Sequence, residues 1–133
     1  MTIIEKDLSF KLRGLFIKIS RQYGYLYKED FYHNALKELL DKEKIKFISQ
    51  PRINIHSLET SKVLSTYSPD FLVEDKVIIE LKAQPYLHID AIVQLDQYLK
   101  ASKYELGFII NFGEPKANIT RRIYTNNCKS WIK

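Results

Sequence analysis

The run Val77-Ile78-Ile79-Glu80-Leu81-Lys82 is the most strand-like segment of the chain and limits what its surroundings can become. Asp70-Phe71-Leu72-Val73 ahead of it is also strand-like, and Glu74-Asp75-Lys76 between them suits a tight turn, so 70–82 is predicted to be a β-hairpin. Upstream the apolar period is helical. Ile4, Leu8, Leu12, Leu15, Ile19 and Tyr23 recur every three or four residues, which predicts an amphipathic helix ending near Gly24, with Thr2 and Glu5 spaced as a capping box. A second helical pattern covers 28–44, with Phe31, Ala35, Leu39 and Leu40 on one face and Glu29 and Asp30 in a first turn that favours acids. Phe47 to Ile55, interrupted by Pro51, reads as one edge strand with a bulge or bend, and 57–66 as a turn plus a weakly defined strand. Asp90 is a candidate cap for a helix reaching Ala101. Tyr104 to Phe112 reads as a buried strand closed by Gly113-Glu114-Pro115, and one short strand is expected near Arg122–Tyr124. The order of these elements predicts an α/β sandwich with a mixed central sheet flanked by helices.

Composition narrows the class. At 133 residues, without repeats or linker-like tracts, the chain is expected to form a single domain over 1–133. Its longest apolar runs fall far short of the ~20 residues that span a bilayer, and MTIIEKDLSF is not a secretory signal, so a cytoplasmic protein without membrane contact is expected. Cys128 stands alone, which excludes an internal disulfide, an all-cysteine zinc site and a cysteine-bound iron–sulfur cluster; it reads as a small side chain. The net charge of +5 has one source: 1–115 balances 16 basic against 16 acidic residues, whereas Lys116, Arg121, Arg122, Lys129 and Lys133 face no acid. That segment is either a phosphate contact or a solvated tail. Trp131 reads as its anchor on the core, in preference to a base-stacking ring. His33, His56 and His88 lack ligand spacing and read as surface or turn residues.

The hairpin gathers chemistry. Glu80 and Lys82 are two apart on a strand and project together, while the turn brings Asp70 across from them. Two carboxylates there are within reach of one hard cation such as Mg²⁺, and the lysine can orient a water or stabilise charge on a phosphate. An exposed cross-strand salt bridge is the alternative, worth about 0.5 kcal/mol. Against it, Glu80 interrupts an otherwise continuous apolar run, and charge placed there needs a reason. On the next helix Gln94 and Tyr98 share a face; the pair is either ordinary helix surface or a contact set, Gln94 for a scissile phosphate or a metal-bound water and Tyr98 for a nucleic-acid backbone. Glu29 is either a helix-start acid or a further carboxylate for the metal.

Pro69-Asp70 … Glu80-Leu81-Lys82 resembles the motif of the PD-(D/E)xK nuclease superfamily, and Gln94-Leu95-Asp96-Gln97-Tyr98 resembles the QxxxY motif of its RecB-like branch. From Leu8 to Lys116 the chain is similar to the small GxxExxY proteins, through LSFKLRG, EDFYHNAL, DFLVEDKVIIELKA, QLDQYLKAS and LGFIINFGEPK. It departs from them where Leu26 stands in place of the glycine, while Glu29 and Tyr32 keep the ExxY half. The resemblance implies a restriction-endonuclease-like αβββαβ core and Mg²⁺- or Mn²⁺-dependent phosphodiester hydrolysis, with DNA as the expected partner. It implies metal ligation by Asp70, Glu80, the Leu81 carbonyl and Glu29, and catalysis by these side chains with Lys82 and Gln94. Nucleic-acid contacts are then expected at Gln94, Tyr98, Tyr32, Lys116, Arg121 and Arg122. Two other readings stay open: a non-catalytic module holding nucleic acid or a protein, and a dimeric junction-resolving endonuclease. A homodimer or larger assembly could complete so small a site.

Overall fold

The computed structural model describes residues 4–132. Helix α1 (Lys6–Tyr23) buries Leu12, Leu15, Phe16 and Ile19. It ends at Gly24, whose φ of 73° lies in the left-handed region and whose N–H closes on the Ser20 carbonyl. Thr2 of the expected capping box lies outside the described residues, and Glu5 takes the N-cap position without a side-chain bond. Helix α2 (Glu29–Lys42) carries Glu29 and Asp30 in its first turn and buries Tyr32, Leu36 and Leu40. Each large apolar side chain buried in this way contributes about 1.5–3 kcal/mol.

Strands β1 (Phe47–Ser49), β2 (Ile53–His56), β3 (Val63–Tyr67), β4 (Phe71–Val73) and β5 (Val77–Lys82) follow. Helix α3 (Ile89–Ala101), β6 (Leu106–Asn111) and β7 (Asn118–Ile123) complete the main elements. Five strands form one sheet in the order β1-β4-β5-β6-β7, and only β5 and β6 run parallel. A parallel pair needs a crossover, and α3 supplies it. The mixed sheet flanked by helices is therefore present as expected, as is the 70–82 hairpin. Its turn places Glu74 and Asp75 both at φ 54°, with the Lys76 N–H bonded to the Val73 carbonyl at 2.9 Å.

Three expectations need correction. Residues 47–55 are not one bent strand: β1 is an edge of the main sheet, whereas β2 pairs with β3 in a separate two-stranded ribbon. Pro51 lacks the N–H to continue a ladder, and Gln50 at φ 50° turns the chain out of the sheet. His88, not Asp90, caps α3, its ring accepting the Asp90 N–H at 3.2 Å. The terminal strand is longer and earlier than expected, pairing with β6 along its full length.

The sheet separates two apolar layers. On one face α1 and α2 pack over Phe71, Val77, Ile79, Leu81, Phe108 and Ile110. On the other, α3 and the β2–β3 ribbon cover Leu72, Ile78 and Ile109. Burial along β5 is complete until its last residues, where Glu80 and Lys82 are partly buried on either side of buried Leu81.

Candidate active site

The β4–β5 register pairs Phe71 with Ile79, so Asp70 and Glu80 face each other where the hairpin opens. The Asp70 N–H donates to Glu80 Oε1 at 3.0 Å, and the Leu81 N–H donates to Asp70 Oδ2 at 2.8 Å. Each carboxylate is thus fixed by backbone of the opposite strand. Burial, then the charge of Asp70, push the Glu80 carboxyl up to about 7. Two hydrogen bonds, from the Asp70 N–H and the Tyr67 hydroxyl, and the charge of Lys82 oppose that rise.

Side chains from both layers converge on this pair. From α2, His33 Nδ1 lies 3.1 Å from Asp70 Oδ1 and Nε2 lies 2.9 Å from Ser49 Oγ on β1. A carboxylate oxygen only accepts, so Nδ1 donates to Asp70, and Nε2 bonds the Ser49 hydroxyl. The imidazole also stacks on Phe71, with ring centroids 4.3 Å apart. His33 is therefore half-buried and engaged, contrary to its reading as a surface residue. From the opposite layer comes Tyr67, at the end of β3, whose hydroxyl bonds Glu80; burial keeps that hydroxyl protonated far above its usual range. The Tyr67 ring stacks on Tyr98 of α3 at 3.8 Å and 15°.

Sequence reasoning missed both His33 and Tyr67. The His33–Asp70 and Tyr67–Glu80 contacts are tertiary, and no spacing encodes them. The one local hint was Tyr67 lying three residues before Asp70.

Glu29 lines a cleft of about 340 Å³ with Asp30, His33, Asn34, Gln50 and Asp70. Partial burial and Asp70 raise its carboxyl pKa, opposed by Lys82 and His33. It shares the electrostatics of the site, but the expected trio of Asp70, Glu80 and Glu29 does not form. Among the described residues no three His, Cys, Asp or Glu side chains are grouped closely enough to hold an ion alone. The donor set nevertheless fits a hard divalent cation. Asp70 and Glu80 concentrate negative charge, and Mg²⁺ is commonly held by one or two carboxylates, with water and phosphate oxygens completing its shell.

The expected nucleic-acid contacts divide. Gln94 is exposed on α3 and Lys116 is exposed beyond β6. Tyr98 is half-buried against Tyr67. Tyr32 is fully buried, so the expectation that it touches a strand is corrected. Its hydroxyl donates to the Gly24 carbonyl at 2.6 Å and accepts the Tyr27 N–H, fastening the α1–α2 loop. The basic terminal segment is largely engaged within the fold. Arg121 bonds the Ile4 carbonyl, Arg122 grips Asp96 through two bonds of 2.7 and 2.8 Å, and Lys129, 4% exposed, donates to the Ser102 and Tyr104 carbonyls. Arg121 and Arg122, expected as phosphate contacts, therefore both have partners within the fold, and Arg122 remains exposed. Trp131 is buried against His56 and bonds the Lys100 carbonyl, the anchor role expected of it.

The hairpin of this mixed α/β sheet thus carries two opposed carboxylates, with a lysine two residues beyond the second. Residues 6–123 match the PD-(D/E)XK nuclease superfamily, and the chain belongs to it. The chain is also similar to the crystal structure of an alkaline exonuclease from Laribacter hongkongensis, at 12% identity and a TM-score of 0.46, covering 96% of this chain and 74% of that one. No curated protein matches it.

Proposed function

We propose that the chain is a divalent-metal-dependent nuclease that hydrolyses phosphodiester bonds in DNA. The observation carrying this reading is the Asp70–Glu80 pair, locked at 2.8 and 3.0 Å by opposite-strand backbone at the mouth of the hairpin. Superfamily membership supports it, and Glu29-x-x-Tyr32 with Gln94-x-x-x-Tyr98 supports the finer placement among the GxxExxY proteins with a RecB-like helix.

Asp70, Glu80 and the Leu81 carbonyl would hold Mg²⁺ or Mn²⁺, with Glu29 acting from outside the immediate ligands. When bound, the ion supplies Lewis-acid polarisation of the phosphoryl oxygen and a lower pKa for bound water. Lys82 orients the attacking water through its ammonium group and meets negative charge gathering on the phosphate. The water oxygen forms the new bond to phosphorus as the ester P–O bond breaks; the water gives up a proton and the departing sugar oxygen gains one. His33 holds Asp70 in place, Tyr67 holds Glu80, and Gln94 and Tyr98 steady the strand. Lys82→Ala should lower the rate of cutting labelled DNA by at least about a hundredfold with an unchanged melting temperature. Cutting at the wild-type rate would remove Lys82 from the mechanism.

A further inference from the structure

Away from the carboxylates, a second cleft of about 640 Å³ opens between α1 and the segment joining β6 to β7. Arg13, Ile17 and Arg21 line it from the helix, and Lys116, Ala117 and Ile119 from the other side. No acidic side chain lines it. Among the described residues neither arginine nor Lys116 joins a salt bridge. The nearby Glu114 is turned to Asn111, whose side-chain nitrogen donates to it at 2.7 Å. Three cations without an ion-pair partner around one groove favour a polyanion there.

Its position relates it to the candidate active site. Lys82, Asn111 and Asn118 are register partners across β5, β6 and β7, so Asn118 lies about two strand spacings, ~10 Å, from the Lys82 position, and Lys116 and Ala117 directly precede it in the chain. On the helix side, Arg21 leads through Gly24 to Glu29 in the other cleft. The loop between them exposes Tyr25 and Tyr27, each about half, and Leu26 at 85%. Tyr32 fastens this loop from beneath through the Gly24 carbonyl and the Tyr27 N–H. Tyr27 stacks on Phe31, with ring centroids 3.9 Å apart, whereas Tyr25 stacks on no other ring among the described residues and keeps its ring at the surface. Cations with stacking rings are how proteins track unpaired strands.

We propose that Arg13, Arg21 and Lys116 seat the phosphates of a single-stranded segment whose bases stack on the Tyr25–Tyr27 loop on the way to Asp70, Glu80 and Lys82. The direction of the path rests on the nuclease reading; the binding itself does not.

The test is fluorescence anisotropy of a labelled single strand and its duplex, in chelator so that nothing is cut, over a range of salt. Wild type should bind the single strand more tightly. Arg13→Ala/Arg21→Ala/Lys116→Ala should reduce the slope of log K against log salt by about 2, since each single-strand phosphate contact accounts for ~0.7. Tyr25→Ala should weaken the single strand by about fivefold or more and leave the duplex unchanged. An unchanged slope in the triple variant, no preference of wild type for the single strand, or an equal effect of Tyr25→Ala on both would each overturn the proposal. So would a triple variant that shifts sedimentation without shifting strand affinity, which would make the cleft a contact between copies. A wild type that binds as described but cuts nothing when given Mn²⁺ would sink the nuclease reading and leave this one standing.

Discussion

Glu80 is where the geometry of the site has its clearest solution consequence. Its carboxyl ionises near 4.5 in an unfolded chain and near 7 in the fold, raised first by burial and then by Asp70. The folded protein therefore holds that proton more tightly than the unfolded one. Stability from this group is full below about pH 4.5 and is lost as pH rises to about 7, by roughly 3 kcal/mol. In chelator, the melting temperature of wild type should fall relative to Glu80→Gln across that window; parallel curves would refute the shift. His33 is the second residue of consequence, because it couples Asp70 to Ser49. His33→Ala leaves Asp70 Oδ1 without its donor and should lower Mn²⁺ affinity by about tenfold or more, as loss of a partner behind a metal ligand does. An unchanged affinity would reduce His33 to a packing role.

At the scale of elements, the hairpin was legible because everything that defines it is local: an apolar run, a short polar turn and a carboxylate on each arm. The two early helices were legible for the same reason, since a three-to-four period survives in any surroundings. Residues 47–55 were not, because Pro51 signals a break without telling which sheet the chain joins next. His33 and Tyr67 escaped because their value lies in contacts the fold creates, and Arg121 and Arg122 looked free because Asp96 and the Ile4 carbonyl are distant in sequence. Another long-range constraint lies beyond β6. A Cβ on Gly113 would run into backbone atoms of Ala83 and Gln84, which cannot step aside as a side-chain tip can. Asn111 ties the same corner, accepting the Gln84 and Gly113 N–H groups and donating to the Gln84 carbonyl. Gly113→Ala should cost about 1–3 kcal/mol in chemical denaturation and loosen the chain just past Lys82. A neutral result would mean this corner yields more easily than its packing implies.

For the molecule as a whole, the sheet is the organising plane. The layer of α1 and α2 contributes Glu29 and His33, the layer of α3 and the β2–β3 ribbon contributes Tyr67, Tyr98 and Gln94, and the hairpin between them holds Asp70, Glu80 and Lys82. Most of the terminal basic residues are drawn into internal contacts, which leaves the α1 cleft as a place where positive charge stays uncompensated. Everything proposed for activity depends on the carboxylate pair accepting a divalent cation. Titration calorimetry with Mn²⁺ near neutral pH, on wild type, Asp70→Asn and Glu80→Gln, addresses this directly. Wild type should bind and release a proton, seen as a dependence of the heat on buffer ionisation, because Glu80 must ionise to ligate. Both variants should lose that binding while remaining folded. Absence of binding in folded wild type, or equal binding in all three proteins, would contradict the account.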